Sequence, residues 1–288
     1  MTSPAMTNSS PLILPPLPQL PPAAQSPYDN LTCQLKSLRL PHMLAHWQQL
    51  EQQATLEHWS YPQYLLALCE LEAQRRYTLK VQRAMSEAQL PTGKSLTNFV
   101  FDHCPTLNPA TVTHLANDKS WVEQGSNILV FGPSGTGKTH VATGLAQAQI
   151  ELGHRVKFTS ATALVQALQL AKLNLQLPAA LTKLDRYDLL VVDDLGYVKK
   201  SEAETSVLFE LIADRYERKS LLVTANQPFS AWDEIFTDSM MTVAAIDRLI
   251  HHAVVLEMHG ESFRQQQTKE RLLPNPKTAS KEGVKTAP

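Results

Sequence analysis

An excess of charge of either sign is missing from this sequence. Its 288 residues carry 26 Lys and Arg against 27 Asp and Glu, a formal net charge of −1. The molecule as a whole is no polycation, so any contact with nucleic acid has to come from a local patch. Cysteine is scarce too. Cys33, Cys69 and Cys104 stand far apart and form no C-x-x-C pair. That spacing argues against a disulfide framework or a zinc site and fits free thiols in a reducing cytoplasm. No apolar run approaches the ~20 residues that span a bilayer. No positive charge precedes Lys36, and the apolar "PLILPPLPQLPP" is broken by proline. Neither a signal peptide nor a membrane anchor is expected.

What is there changes character along the chain. Residues 1–30 are rich in Pro, Ser, Ala and Gln, the composition of an extended, disordered arm. Residues 31–92 carry apolar residues at helical spacing, with Tyr61, Leu65, Leu68 and Leu79 near one stripe. That pattern predicts a small all-α domain of three or four helices. "LPTGKSLTNFVFDHCP" then has the turn residues of a linker.

From residue 96 to 272 the pattern alternates. Five short apolar runs, "NILVFG", "RVKFTS", "DLLVVDD", "SLLVTAN" and "AVVLEM", are separated by periodic segments at 138–152, 161–174, 202–218 and 230–250. Apolar runs without alternation mark strands buried on both faces. With helices between them they predict an α/β domain built on a doubly wound, parallel, five-stranded sheet. The polar, Pro- and Lys-rich residues 273–288 are expected to be a disordered tail.

The strongest signal is "GPSGTGKT", which fits G-x-x-x-x-G-K-[ST] in full: Gly132, Pro133, Ser134, Gly135, Thr136, Gly137, Lys138 and Thr139. It follows one predicted strand and opens one predicted helix. Glycines let backbone N–H groups turn inward around phosphates, and the helix N-terminus adds its dipole. Lys138 is expected to reach the β- and γ-phosphates of ATP, and the Thr139 hydroxyl to coordinate Mg²⁺. "DLLVVDD" ends in two acids at the carboxyl edge of a buried strand, where ligands bind. Asp193 is expected on the metal side. Asp194 polarises the attacking water or merely caps the next turn; the catalytic role is favoured. "SLLVTAN", which runs into Thr224, Asn226 and Gln227, is expected beside that strand, near the γ-phosphate. Its Asn226 orients the attacking water or simply serves the turn before Pro228.

These residues resemble the AAA+ ATPases of the DnaC/IstB type, and within them the IstB-like helpers of insertion-sequence transposition. The resemblance rests on "LKSLRLPHMLAHWQQL", "GPSGTGKTHVATGL", "YERKSLLVTANQPFSAWDEIF" and "MTVAAIDRLIHHAVVLEMHGESFR" and covers roughly residues 31–272. It implies that Asn226 matches sensor I, and that Arg248 matches the arginine acting on a neighbouring subunit's nucleotide. It also implies that Arg264 takes the sensor II position. It further implies ATP-dependent self-assembly into rings or helical filaments on duplex DNA. There, a transposase would be recruited or activated and ATP hydrolysis would time release. A helicase loader of the DnaC type shares the core and is the alternative. A third reading is a DNA-binding accessory protein that holds ATP without turnover; Asp193, Asn226 and Arg248 count against it.

DNA contact needs a local basic face. Arg76, Lys80 and Arg83 fall at i, i+4 and i+7, with Arg75 beside them. Such a face is either the DNA contact or an ordinary solvated surface. His251 and His252 have no Cys or carboxylate pattern near them in sequence and are taken as structural.

Overall fold

The computed structural model describes residues 27–195, 201–227, 239–260 and 262–263. The chain divides into two compact units, Met1–Thr78 and Leu79–Pro288. In the first, α1 (Pro27–Ser37) and α2 (Pro41–Leu56) precede α3 (Tyr61–Ala88), the helix within which the division falls. Pro41 sits in the first turn of α2, where a missing N–H costs nothing. The buried Glu72 carboxylate accepts the N–H groups of His42 (2.8 Å) and Met43 (3.2 Å), so it caps α2 from a distant helix. Leu35, Trp47 and Leu68 form the small core, with Tyr28 stacked on Trp47 at 5.4 Å. The stripe drawn through Tyr61 and Leu65 does not face this core. Tyr61 is 92% and Leu65 59% exposed, whereas Leu68 is buried.

The second unit holds two 3₁₀ turns, Leu96–Asn98 and Phe101–His103. Then come α4 (Pro109–Asn117), α5 (Ser120–Glu123), β1 (Asn127–Phe131), α6 (Lys138–Glu151), β2 (Val156–Ser160) and α7 (Ala161–Leu173). These are followed by α8 (Leu177–Leu184), β3 (Leu189–Leu195), α9 (Glu202–Arg215), β4 (Ser220–Ala225), α10 (Ser239–Ile250) and β5 (Ala253–Glu257). All five expected strands are present. They form one parallel sheet in the order β2-β3-β4-β1-β5.

Period-two alternation sends each central strand into two cores. Leu129, Phe131, Leu190, Val192, Leu221 and Val223 pack against α7, α8, α9 and α10. Ile128, Val130, Leu189, Val191 and Leu222 pack against α4, α5, α6 and the end of α3. Two-sided burial is why these strands lack polar alternation. The short helices α4 and α8 were not anticipated. Each has proline in its first turn, which resembles a breaker in sequence but is a favoured start. Asn108 caps α4 by accepting the Ala110 N–H at 2.8 Å.

At the amino ends of the strands, Arg215 is only 1% exposed. Its guanidinium donates to the carbonyls of Leu184, Tyr187, Asp188 and Ser220 at 3.0–3.3 Å. Burial lowers its pKa to about 10. Arg215 thus ties the end of α8 to the starts of β3 and β4. Among the described residues, no helix is long and apolar enough to cross a membrane.

Candidate nucleotide site

The glycine-rich loop leaves the carboxyl end of β1 and enters α6, as its sequence requires. Gly137 precedes α6 at φ +97°, a left-handed conformation that disfavours a side chain. A Cβ there would also lie 2.7 Å from the Phe99 ring. Gly132, at φ +151°, has no room either, because a Cβ would run into the Met258 carbonyl oxygen. The loop is fastened from behind by the chain after β5. Met258 N–H donates to Phe131 O at 2.7 Å, and Phe263 N–H to Gly135 O at 3.1 Å. Buried Lys138 donates to the loop's own carbonyls, Gly132 O at 2.8 Å and Pro133 O at 2.9 Å.

Beside the loop, β3 delivers its two acids to different places. The Asp193 carboxylate is buried and accepts the Thr139 hydroxyl at 3.0 and 3.1 Å. It also accepts the Thr224 hydroxyl from β4 at 2.6 Å. The β3–β4 register shifts between Val192 and Leu195, and Asp194 adopts φ +60° in that irregularity. The shift exposes the Asp194 side chain to the cavity rather than burying it with Asp193. The Asp194 N–H donates to the same Thr224 hydroxyl at 2.9 Å. Burial raises the Asp193 pKa, and the Asp194 charge adds to that rise. The Thr224 and Thr139 hydroxyls and the Lys94 charge oppose it.

A cavity of about 520 Å³ opens in front of these groups. Ser134 to Thr139 and Asp194 form one side. Thr92, Gly93, Lys94, Asn98, Phe99, Val100 and His103, with His140 and Phe263, form the rest. Phe99 stands edge-on to Phe101 (4.9 Å) and to His140 (5.3 Å), and His140 Nε2 donates to Ser95 O at 2.8 Å. The expected linker after residue 91 is therefore a wall of the cavity. Lys94, Phe99 and His103 are the residues that sequence reasoning did not single out, and Thr224 was named at its strand end without a role. Their signal was weak, since an aromatic pair in a turn-rich stretch has no fixed spacing from a phosphate loop.

The residues fit a nucleoside triphosphate. The loop supplies backbone donors at a helix N-terminus, Lys138 supplies a cation, and the aromatic wall supplies an apolar face of ring size. Thr139 and Asp193 place hydroxyl and carboxylate oxygens together, the donor set of a hard divalent cation. Asn226 follows β4; its side-chain oxygen is buried without a hydrogen-bond partner, and it does not line the cavity. Arg248 lies on α10, its guanidinium 5.2 Å over the Phe209 ring and donating to Ala244 O at 3.0 Å. Arg264 lies outside the described residues. Arg75, Arg76, Lys80 and Arg83 are all exposed on α3. Arg76 is committed nearby, to Glu72 at 3.3 Å and Arg39 O at 3.0 Å.

A parallel sheet in this order, with a phosphate loop after its β1 and a buried acid at the end of β3, defines an AAA+ P-loop ATP-binding protein. The same fold is found in AMPPCP-bound DnaA from Aquifex aeolicus. The match has a TM-score of 0.50 at 20% identity and covers 64% of this chain and 56% of that one. The chain belongs to the IstB-like ATP binding protein family, whose model matches residues 33–271. It is 48% identical to a Sinorhizobium fredii protein named as an insertion sequence ATP-binding protein, over 84% of this chain and 81% of that one. It is 33% identical to the protein of Pseudomonas aeruginosa named for ATP binding in insertion sequence IS21, over 80% and 86%.

Proposed function

We propose that this chain is an ATPase that assembles on duplex DNA, recruits or activates the transposase of its own insertion sequence, and is released when ATP is hydrolysed. The observation that carries the hydrolytic part is the split of the β3 acids. Asp193 turns toward Thr139, while Asp194, one residue on, faces the cavity. A holder of ATP without turnover has no use for the second acid. The membership in a family of insertion-sequence proteins supports the transposition part.

In this reading the loop of Gly132 to Gly137 wraps the phosphates and Lys138 leaves its loop carbonyls to meet the β- and γ-phosphates. Thr139 and Asp193 would hold Mg²⁺, which would neutralise charge developing on the phosphate oxygens. Asp194 orients and polarises the attacking water; the family resemblance gives Asn226 the same task, from the end of β4 outside the cavity lining. Arg248 acts on a neighbouring subunit's nucleotide, where such an arginine is worth roughly 10³–10⁵ in rate. Arg264 contacts the nucleotide in its own subunit. The exposed Arg75, Lys80 and Arg83 contact DNA phosphates.

The test combines phosphate release with assembly. Purified protein is followed by light scattering and phosphate detection, with duplex DNA and either ATP or a non-hydrolysable analogue. The expected result is an assembly that needs triphosphate and DNA, persists with the analogue and decays with ATP. Assembly that ignores the nucleotide would overturn the proposal.

A further inference from the structure

The sequence leaves His251 and His252 without a carboxylate, and the fold supplies one. Glu217 follows α9, and the two histidines follow α10. The Glu217 Oε1 atom lies 3.6 Å from His252 Nε2 and 3.7 Å from His251 Nδ1, and the imidazole rings are 4.1 Å apart at their centroids. One donor atom from each residue falls within 4.8 Å of the others. All three side chains are exposed. The cluster sits at the end of the sheet where β4 and β5 begin, while the nucleotide loop leaves the opposite end of β1.

We infer that Glu217, His251 and His252 form a binding site for a transition-metal cation of the zinc class. Imidazole nitrogen with one carboxylate is a donor set suited to Zn²⁺ or Co²⁺ and poorly suited to Mg²⁺. Zn–N and Zn–O bonds of about 2.0–2.2 Å in a tetrahedron separate their donors by roughly 3.3–3.5 Å. The carboxylate oxygen is already within a few tenths of an ångström of that from both rings. The backbone is also held in place. The Asn127 N–H donates to His252 O at 3.0 Å and the His251 N–H to Asp247 O at 3.0 Å, while Glu217 takes φ +55°. Three protein donors leave a fourth position for water or another ligand. Tyr216 OH and His251 Nδ1 share a hydrogen bond of 2.7 Å, which the cation would displace.

Occupied, the site staples the ends of α9 and α10 together. Arg248 is one turn before the histidines on α10, and it packs on Phe209 of α9. The inference does not depend on what Arg248 does.

Full-length protein with any affinity tag removed is titrated with ZnCl₂ by calorimetry, and with CoCl₂ by visible absorption, in excess Mg²⁺ to keep hard-oxygen sites filled. The same is done for His251→Ala, His252→Ala and Glu217→Gln, whose folding is checked by circular dichroism. The parent should take up one equivalent, with a low-coordinate Co²⁺ spectrum and a zinc-dependent rise in melting temperature. Each variant should lose about tenfold or more in affinity and the zinc-dependent rise with it. No uptake by the parent, or uptake unchanged in all three variants, would overturn the inference.

Discussion

The Thr224 hydroxyl lies 2.6 Å from Asp193 Oδ1 and accepts the Asp194 N–H at 2.9 Å, so one fully buried side chain of β4 sets both acids of β3. Thr224→Val keeps the shape and removes both hydrogen bonds. Leaving a buried group unpaired costs about 1–3 kcal/mol. ATP hydrolysis should fall by about tenfold or more, with nucleotide affinity changed far less. Steady-state phosphate release and nucleotide titration measure the two separately. An unchanged rate would show that Asp193 and Asp194 hold their places without β4.

Lys138→Ala and Asp194→Asn should separate binding from turnover. The first removes the cation of the loop and should abolish detectable ATP binding. The second should bind ATP normally and release phosphate at least about a hundredfold more slowly, within the range of general acid–base contributions. Normal hydrolysis by Asp194→Asn would sink the role proposed for that acid.

Arg248→Ala should bind ATP and hydrolyse it slowly. Mixed with Lys138→Ala protein it should regain activity, because intact arginines then meet intact loops across subunit boundaries. The measurement is ATPase rate against mixing ratio, with co-assembly confirmed by light scattering. A mixture no more active than the sum of its parts would place Arg248 outside the neighbour's site.

DNA binding should be stronger with ATP analogue than with ADP and should weaken steeply with salt, by about 0.9 log units per log unit of salt for each phosphate neutralised. Changing Arg75, Lys80 and Arg83 together to Ala should reduce that slope and weaken all sequences alike, leaving DNA-independent ATPase near normal. Arg76 is left in place because it pairs with the Glu72 carboxylate that caps α2. Fluorescence anisotropy over a salt series gives the answer. A triple variant that binds like the parent moves the contact elsewhere.

Asp188 joins three strand beginnings. It accepts the Arg155 N–H at 3.0 Å before β2 and Lys219 Nζ at 2.7 Å before β4. Burial pushes its pKa up, but the Lys219 hydrogen bond, the Arg155 N–H and the Lys219 charge outweigh it and hold the pKa below the ordinary carboxylate range. A depressed folded pKa stabilises the fold above the unfolded value, near 3.9, and the contribution is lost as pH falls through the folded value. Asp188→Asn should therefore be less stable than the parent at pH 7, and the gap should begin to narrow below about pH 4 and close once the pH is below the folded value. Urea melts at both pH values test this; a gap independent of pH would mean that charge plays no part.

The three central strands were legible because two-sided burial leaves an unbroken apolar run, and the phosphate loop because eight adjacent residues carry it. The carboxylate beside the histidine pair was not legible because Glu217 arrives from the end of another helix. Thr224 was placed near the phosphates without a role because threonine in a strand is ordinary; the register shift opposite it, with Asp194 at φ +60°, gives its hydroxyl two partners. The turn at residues 96–103 lacks any period, so its place on the cavity wall came from packing alone. Leu65 was placed on one apolar stripe by helical spacing, and its exposure shows that spacing does not say which face is covered.

The phosphate loop is braced from behind by Met258 and Phe263, which come late in the chain, and β1 lies between β4 and β5 in the sheet. A ribosome that has just finished the loop has thus made only half of its setting. Synthesis proceeds at about 5–20 residues per second, so the nascent loop waits seconds for its backing. During that interval ATP has no finished pocket in which to stabilise the emerging domain. Truncations that stop before Met258 should accordingly fail as nucleotide binders even though every residue of the phosphate loop is present.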